Sequence, residues 1–122
     1  MAEDDSLLVR VYEKMFKAKG YEIDFAMDGE DAISKLKNME IKPSIIFLDI
    51  IMPKMSGFEV MQEMKKDPIL KNIPTIFLTN MYEEEDEKKG LGLGAVDYLV
   101  KSQYVPSEIV DKMKKICDKY CK

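Results

Sequence analysis

Histidine is absent from the 122-residue chain, and cysteine occurs only twice. Without an imidazole there is no histidine general base and no internal histidine phosphoryl relay. A structural zinc site would need more soft ligands than two thiols provide. Cys117 and Cys121 lie four apart near the C-terminus, one turn along a predicted helix, where an intrahelical disulfide is geometrically poor. The expectation is a core thiol at Cys117 and a free thiol at a frayed helix end at Cys121. The 19 lysines and arginines are outnumbered by 23 acids. Net charge is −4, and no basic face is dense enough to neutralise a run of phosphates, which argues against nucleic acid as a partner. No apolar run approaches transmembrane length, and no signal peptide precedes the first charged residues. No membrane attachment and a cytoplasmic location are therefore expected. The sequence shows neither an internal repeat nor a low-complexity linker.

What is there is ordinary for a globular domain: 46% apolar and 34% charged residues. A chain of this length buries roughly two-thirds of its unfolded surface and needs no staple. One domain over residues 1–122 is expected, with no output domain behind it.

Apolar periodicity sets out the elements. Leu8, Val11, Tyr12, Met15 and Phe16 mark one face of a helix over residues 5–18, closed by Gly20. Residues 21–26 alternate as a short edge strand, and Asp28-Gly29 turns into a second helix through about Met39. Residues 44–49 read as a buried strand, Phe58 to Met64 as a third helix ending before Asp67-Pro68, and residues 74–79 as another buried strand. Glu83 to Glu87 begin a fourth helix, where carboxylates suit the dipole and read as a solvated start. Gly90, Gly92 and Gly94 have the wrong spacing for a nucleotide fingerprint and read as helix stop and turn. Residues 95–100 form the last strand, and Pro106 opens a fifth helix with Ile109, Val110, Met113, Ile116 and Cys117 inside. Alternating helices and short apolar strands imply an α/β fold, a doubly wound parallel sheet covered on both faces. Its opening strand is missing or reduced to a stub, because only Met1 and Ala2 precede Glu3-Asp4-Asp5.

Chemistry gathers where the strands end. The apolar run Ser44 to Leu48 leads directly into Asp49, and Pro53 and Gly57 then break the chain, so Asp49 sits at a strand's carboxyl end. The acidic cluster, Thr79 and Lys101 fall at the same edge. Carboxylates crowded there repel one another unless a cation lies among them, and hard oxygen ligands suit Mg²⁺ or Mn²⁺. Lys101 and the Thr79 hydroxyl would serve an anion opposite, and a phosphoryl group at Asp49 fits best.

These pieces together resemble the receiver domain of two-component response regulators over residues 2–120: Glu3-Asp4-Asp5, then Leu48-Asp49-Ile50-Ile51-Met52-Pro53 with Ser56-Gly57, then Thr79, then Gly94 to Lys101. The resemblance implies a flavodoxin-like receiver fold of strand order 2-1-3-4-5 and a stand-alone phosphoacceptor. A sensor histidine kinase or phosphotransfer protein would donate a phosphoryl group to Asp49 in a Mg²⁺-dependent reaction. The metal would be held by Glu3, Asp4, Asp49 and the backbone carbonyl of Ile51, while Thr79 and Lys101 contact the phosphoryl oxygens. In that family the first apolar helix position follows the second metal acid by four residues, and Leu8 follows Asp4 by four, so the resemblance implies Glu3 and Asp4 as the metal pair; Asp5 becomes a near-site charge or helix cap. Tyr98 would turn inward as a switch, remodelling the last helices and strand for a downstream protein. Turnover would be limited to self-phosphorylation from a donor and slow self-dephosphorylation.

Four departures stand out. Ser102 replaces the usual proline after the lysine, so the peptide there need not be cis. Asn80 stands where a small residue is common and narrows access. Ile51 and Met81 offer no side chain to orient water, which predicts a long-lived phosphoryl-aspartate. The missing strand would open a slot of ~9.5 Å between residues 21–26 and 44–49. Truncation, a filling segment or displaced acids would each account for it. The alternative function is a pseudo-receiver that binds without being phosphorylated, because strand and metal site are incomplete. An aspartyl-nucleophile hydrolase would need a carboxylate where Ile51 stands, and a flavodoxin-like cofactor carrier would need hydroxyls where the acidic cluster stands. Either a monomer or a dimer is expected, the dimer forming by strand exchange or by the acidic fourth helix meeting the face of Lys112, Lys114, Lys115 and Lys119.

Overall fold

In a computed structural model, which describes residues 1–121, five helices surround a parallel sheet. Strand β1 (Ile46–Leu48) pairs with β2 (Thr75–Thr79), and β2 with β3 (Asp97–Val100), all parallel. Because both faces are covered, every residue of β1 and β2 is buried, and successive side chains enter opposite layers. Ile46 and Leu48 point into the layer of helices α2 (Gly29–Asn38) and α3 (Gly57–Lys66); Phe47 points toward α1 (Ser6–Ala18) and α5 (Pro106–Tyr120). Helix α4 (Glu84–Gly92) lies against β3.

Local chemistry explains the boundaries. Asp5 stays extended and its carboxylate accepts from the Leu7 and Leu8 N–H groups, so it caps α1. Gly20 leaves the helix at φ 88°. On α1, Tyr12 and Phe16 are buried whereas Val11 is 38% exposed, so the core stripe is narrower than the periodicity suggests. Ser56 and Glu59 form a reciprocal capping box that starts α3. Gly94 turns the chain at φ 105°, but Gly90 and Gly92 lie within α4. Gly90 is no stop signal: a Cβ there would meet the Phe77 ring at 2.9 Å, so its bareness lets the helix sit close on the sheet.

The opening strand exists as a stub. Ala2 donates to the Phe47 carbonyl (2.9 Å) and accepts from the Asp49 N–H (3.1 Å). On its other side, Glu3 N–H donates to the Ala26 carbonyl and Ala26 N–H to the Met1 carbonyl. The order 26–2–β1–β2–β3 is thereby kept. The expected edge strand over 21–26 does not form beyond a single bridge at Ala26, because a ladder needs a neighbour and only Met1 to Glu3 supply one.

The thiols also differ from expectation. Helix α5 ends at Tyr120, and Cys121, at φ −80° and ψ 144°, has left the helical path. Its Cα lies 4.6 Å from that of Cys117, and the two are joined as a disulfide. The geometric objection assumed both residues inside one regular helix.

Candidate functional site

The site is assembled by four chain crossings at the carboxyl edge of the sheet. Asp49 follows β1 by one residue, and its N–H is held by the Ala2 carbonyl. The same stub drives Glu3 inward, where it is 1% exposed, and leaves Asp4 exposed beside it. Carboxylate oxygens of Glu3, Asp4 and Asp49 all lie within 4.8 Å of one another. Three carboxylates this close, two of them buried, repel unless a cation neutralises them. Lys101, one residue past β3, supplies part of that charge: its ammonium donates to Asp49 Oδ2 at 2.7 Å and pairs with Glu3 Oε1. Burial raises the Glu3 carboxyl above its usual range against the lowering pull of Lys101. Burial alone would lower the Lys101 ammonium, but its bonds to Asp49 and Glu3 outweigh that and carry it above its ordinary value. The donor set suits a hard cation: oxygen only, doubly buried, and already arranged around positive charge.

The incomplete acid set on which the pseudo-receiver reading depends is therefore not found. One paired residue is enough to place Glu3 and Asp4 beside Asp49. Gly57 fixes the loop behind it. A Cβ at Gly57 would lie 2.2 Å from the Asp49 carbonyl oxygen, and its N–H donates to the Ile50 carbonyl at 2.9 Å. Only glycine allows that approach.

Thr79 ends β2, 1% exposed, on the rim of a cavity of about 260 Å³ that Asp49, Lys101, Ile51, Asn80 and Met81 also line. Its hydroxyl accepts from the Met81 N–H at 3.2 Å. Asn80 is exposed at the mouth, and Ile51 is 63% exposed beside it. Tyr98 is already turned inward, 6% exposed, its hydroxyl donating to the Met81 carbonyl at 2.5 Å. Burial and then the carboxylates of Asp86 and Glu87 push its phenol up to about 12. Sequence reasoning missed the main chain of Met81, which joins Thr79 to Tyr98 through its N–H and its carbonyl. No side-chain pattern reports a backbone contact. The Lys101–Ser102 peptide is trans.

Among the described residues, no helix is long and apolar enough to cross a membrane.

Comparison with known proteins extends these findings. The chain is 34% identical over 114 residues to a probable transcriptional regulator, ycf27, of Porphyridium aerugineum, covering 93% of this chain and 45% of that one. It is 33% identical over 116 residues to the alkaline phosphatase synthesis transcriptional regulatory protein PhoP of Bacillus subtilis, covering 95% and 46%. It thus spans less than half the length of these curated relatives. Among solved structures, a phosphorylated cyanobacterial phytochrome response regulator, RcpA, superposes at TM-score 0.81 with 28% identity, over 98% of this chain and 89% of that one. A CheY-like receiver domain of Methanospirillum hungatei shares the fold at TM-score 0.86 and 24% identity, over 98% and 91%. The sheet order, with its stub in the place of an opening strand, is the flavodoxin-like order of those neighbours. A family model for the response regulator receiver domain matches residues 1–114, and the chain belongs to that family.

Proposed function

We propose that the chain is a phosphoacceptor receiver in which Asp49 takes a phosphoryl group from a histidine kinase or phosphotransfer protein. The observation that supports this most directly is the Lys101 ammonium on the Asp49 carboxylate, with Thr79 lining the same cavity and carboxylate oxygens of Glu3 and Asp4 within 4.8 Å of one on Asp49. An Asp49 oxygen attacks phosphorus, the bond from phosphorus to the donor's imidazole nitrogen breaks, and the products are an acyl phosphate and a free imidazole. Lys101 then moves its hydrogen bond from carboxylate to phosphoryl oxygen, and the Thr79 hydroxyl, released from Met81, donates to another. Glu3, Asp4, Asp49 and the Ile51 carbonyl are the groups that would hold Mg²⁺ or Mn²⁺, which when bound neutralises charge on the transferring oxygens. Ile51 and Met81 give attacking water no polar anchor, so the acyl phosphate is long-lived.

Signal leaves through protein contact on α4, β3 and α5, the elements nearest Tyr98. The exposed carboxylates that open α4 and the exposed Lys114, Lys115 and Lys119 on α5 give that face both signs of charge. Self-association through it would weaken with salt. The deciding experiment is labelling with acetyl phosphate or phosphoramidate in Mg²⁺, comparing this chain with Asp49→Asn. Label confined to the parent chain is expected, and equal labelling would refute the assignment.

A further inference from the structure

The edge of the sheet opposite Asp49, where β1 and β2 begin, carries a second cavity, of about 530 Å³. Ser44 and Pro74, just ahead of the two strands, line it together with Asn72, Tyr120 and Cys121. One half of the Cys117–Cys121 disulfide is thereby part of the cavity wall. Cys117 is not; it is half-buried and packs in the α1–α5 layer. A disulfide stabilises through the chain it restrains in the unfolded state, and a link between residues four apart restrains almost none. Nor does a domain of this size need a staple. The bond has little value as a brace, and Cys121 on the cavity wall leaves it open to exchange.

The main chain beside it is prepared for the reduced form. Ile46 N–H donates to the Pro74 carbonyl at 2.9 Å, in the register that pairs Ile46 with Thr75. One step back, a parallel ladder would have the N–H of residue 74 donate to the Ser44 carbonyl, but proline has none. Among the described residues no backbone N–H reaches that carbonyl. Cys121 Sγ lies 3.4 Å from it. Within a disulfide that sulfur carries no proton, whereas as a thiol it can donate. Reduction therefore gives Cys121 a hydrogen bond where it already stands.

We propose that the Cys117–Cys121 disulfide is a thiol-exchange site, at which a small-molecule thiol seated in this cavity takes Cys121 into a mixed disulfide and frees Cys117, and that the fully reduced Cys121 thiol donates to the Ser44 carbonyl. The cavity is of small-molecule size, within the range of roughly 300–1,000 Å³. Its wall sets apolar Ile73 and Pro74 beside polar Ser44 and Asn72, which suits a peptide-like thiol. The incoming thiolate attacks Cys121 Sγ, the Sγ–Sγ bond breaks, and Cys117 leaves as a thiolate that takes up the proton the incoming thiol lost. A second thiol then attacks the mixed disulfide, releasing Cys121 as a thiol and the two small thiols as their own disulfide. Two electrons pass from those thiols to the protein's bond.

The test uses the full chain, air-oxidised, with reduced glutathione as the thiol and peptide mass spectrometry after acid quenching to locate the adduct. Glutathione is expected on Cys121, about tenfold or more above Cys117. Asn72→Trp, which places an indole at the cavity from an exposed position, should slow adduct formation severalfold with an unchanged circular dichroism spectrum. In the fully reduced protein, an infrared S–H band shifted by hydrogen bonding should persist in Cys117→Ser and vanish in Cys121→Ser. An adduct shared equally between the two sulfurs, or an unchanged rate in Asn72→Trp, would overturn the cavity as the point of entry. A bond opened only by a thioredoxin-type dithiol protein would overturn the small thiol as reactant, and an unshifted S–H band would overturn the Ser44 contact. Two free thiols after air oxidation would overturn the exchange site altogether.

Discussion

Replacing Lys101 by methionine keeps the length of the side chain and removes its charge. The Lys101 side chain is 8% exposed, Glu3 2% and Asp49 9%, so the variant leaves two buried carboxylates facing one another. Breaking a buried pair by deleting one partner costs about 3–5 kcal/mol. That is a large share of a domain's total stability, about 5–15 kcal/mol. The loss should depend on what else can neutralise the acids. Burial already raises the Glu3 carboxyl, and losing Lys101 removes two influences that lower it, so it rises further. A carboxyl whose folded value lies above its unfolded one contributes stability below the unfolded value and loses it as pH rises through the folded value. The variant should therefore recover stability, relative to the parent, on acidification from pH 7 to pH 5. Mg²⁺ should do the same at neutral pH, adding about 2.7 kcal/mol at a hundredfold excess over its dissociation constant. Urea denaturation followed by circular dichroism, with and without Mg²⁺, measures all three quantities. A loss below about 1 kcal/mol, or a Mg²⁺ response no larger than the parent's, would refute the view that Lys101 acts as the resident cation of this acid cluster.

Lys54 sits at φ 68°, a region unfavourable to any side chain, so Lys54→Gly should raise stability by about 0.5–1 kcal/mol, seen as a higher urea midpoint. With its phenol pushed up to about 12, Tyr98 should give a late step in an ultraviolet titration of the tyrosines. Tyr98→Phe should abolish that late step and cost about 1 kcal/mol through the lost bond to the Met81 carbonyl. The Cys117–Cys121 link closes a very short loop, so reduction should lower stability by no more than about 2 kcal/mol. Mass spectrometry after alkylation, with and without reductant, counts the thiols.

Most of the architecture was legible because buried parallel strands and amphipathic helices write their periods plainly. Ile46 to Leu48 and Thr75 to Thr79 are unbroken apolar or β-branched runs, and Pro106 and Ser56 mark helix starts by mechanisms local to a few residues. The expected gathering of Glu3 and Asp4 at the Asp49 edge is met in one respect, their carboxylate oxygens lying within 4.8 Å of one on Asp49. What failed was non-local. Tyr21 to Ala26 alternates like a strand, yet strandhood depends on a neighbour the chain barely supplies. Gly90 read as a stop because its reason for being bare is the Phe77 ring, 13 residues away in sequence. The cysteine pairing lies at the very end of α5, where Cys121 is the cap and no longer inside the helix, within the uncertainty of any boundary read from periodicity.

The bridge from Thr79 to Tyr98 runs through the peptide groups of Met81: its N–H meets one hydroxyl and its carbonyl the other. A relay written in main-chain atoms is indifferent to the side chain it passes. Position 81 is thus free to vary in size and polarity without breaking the link between the two hydroxyls. Only proline, which deletes the N–H, would cut the wire.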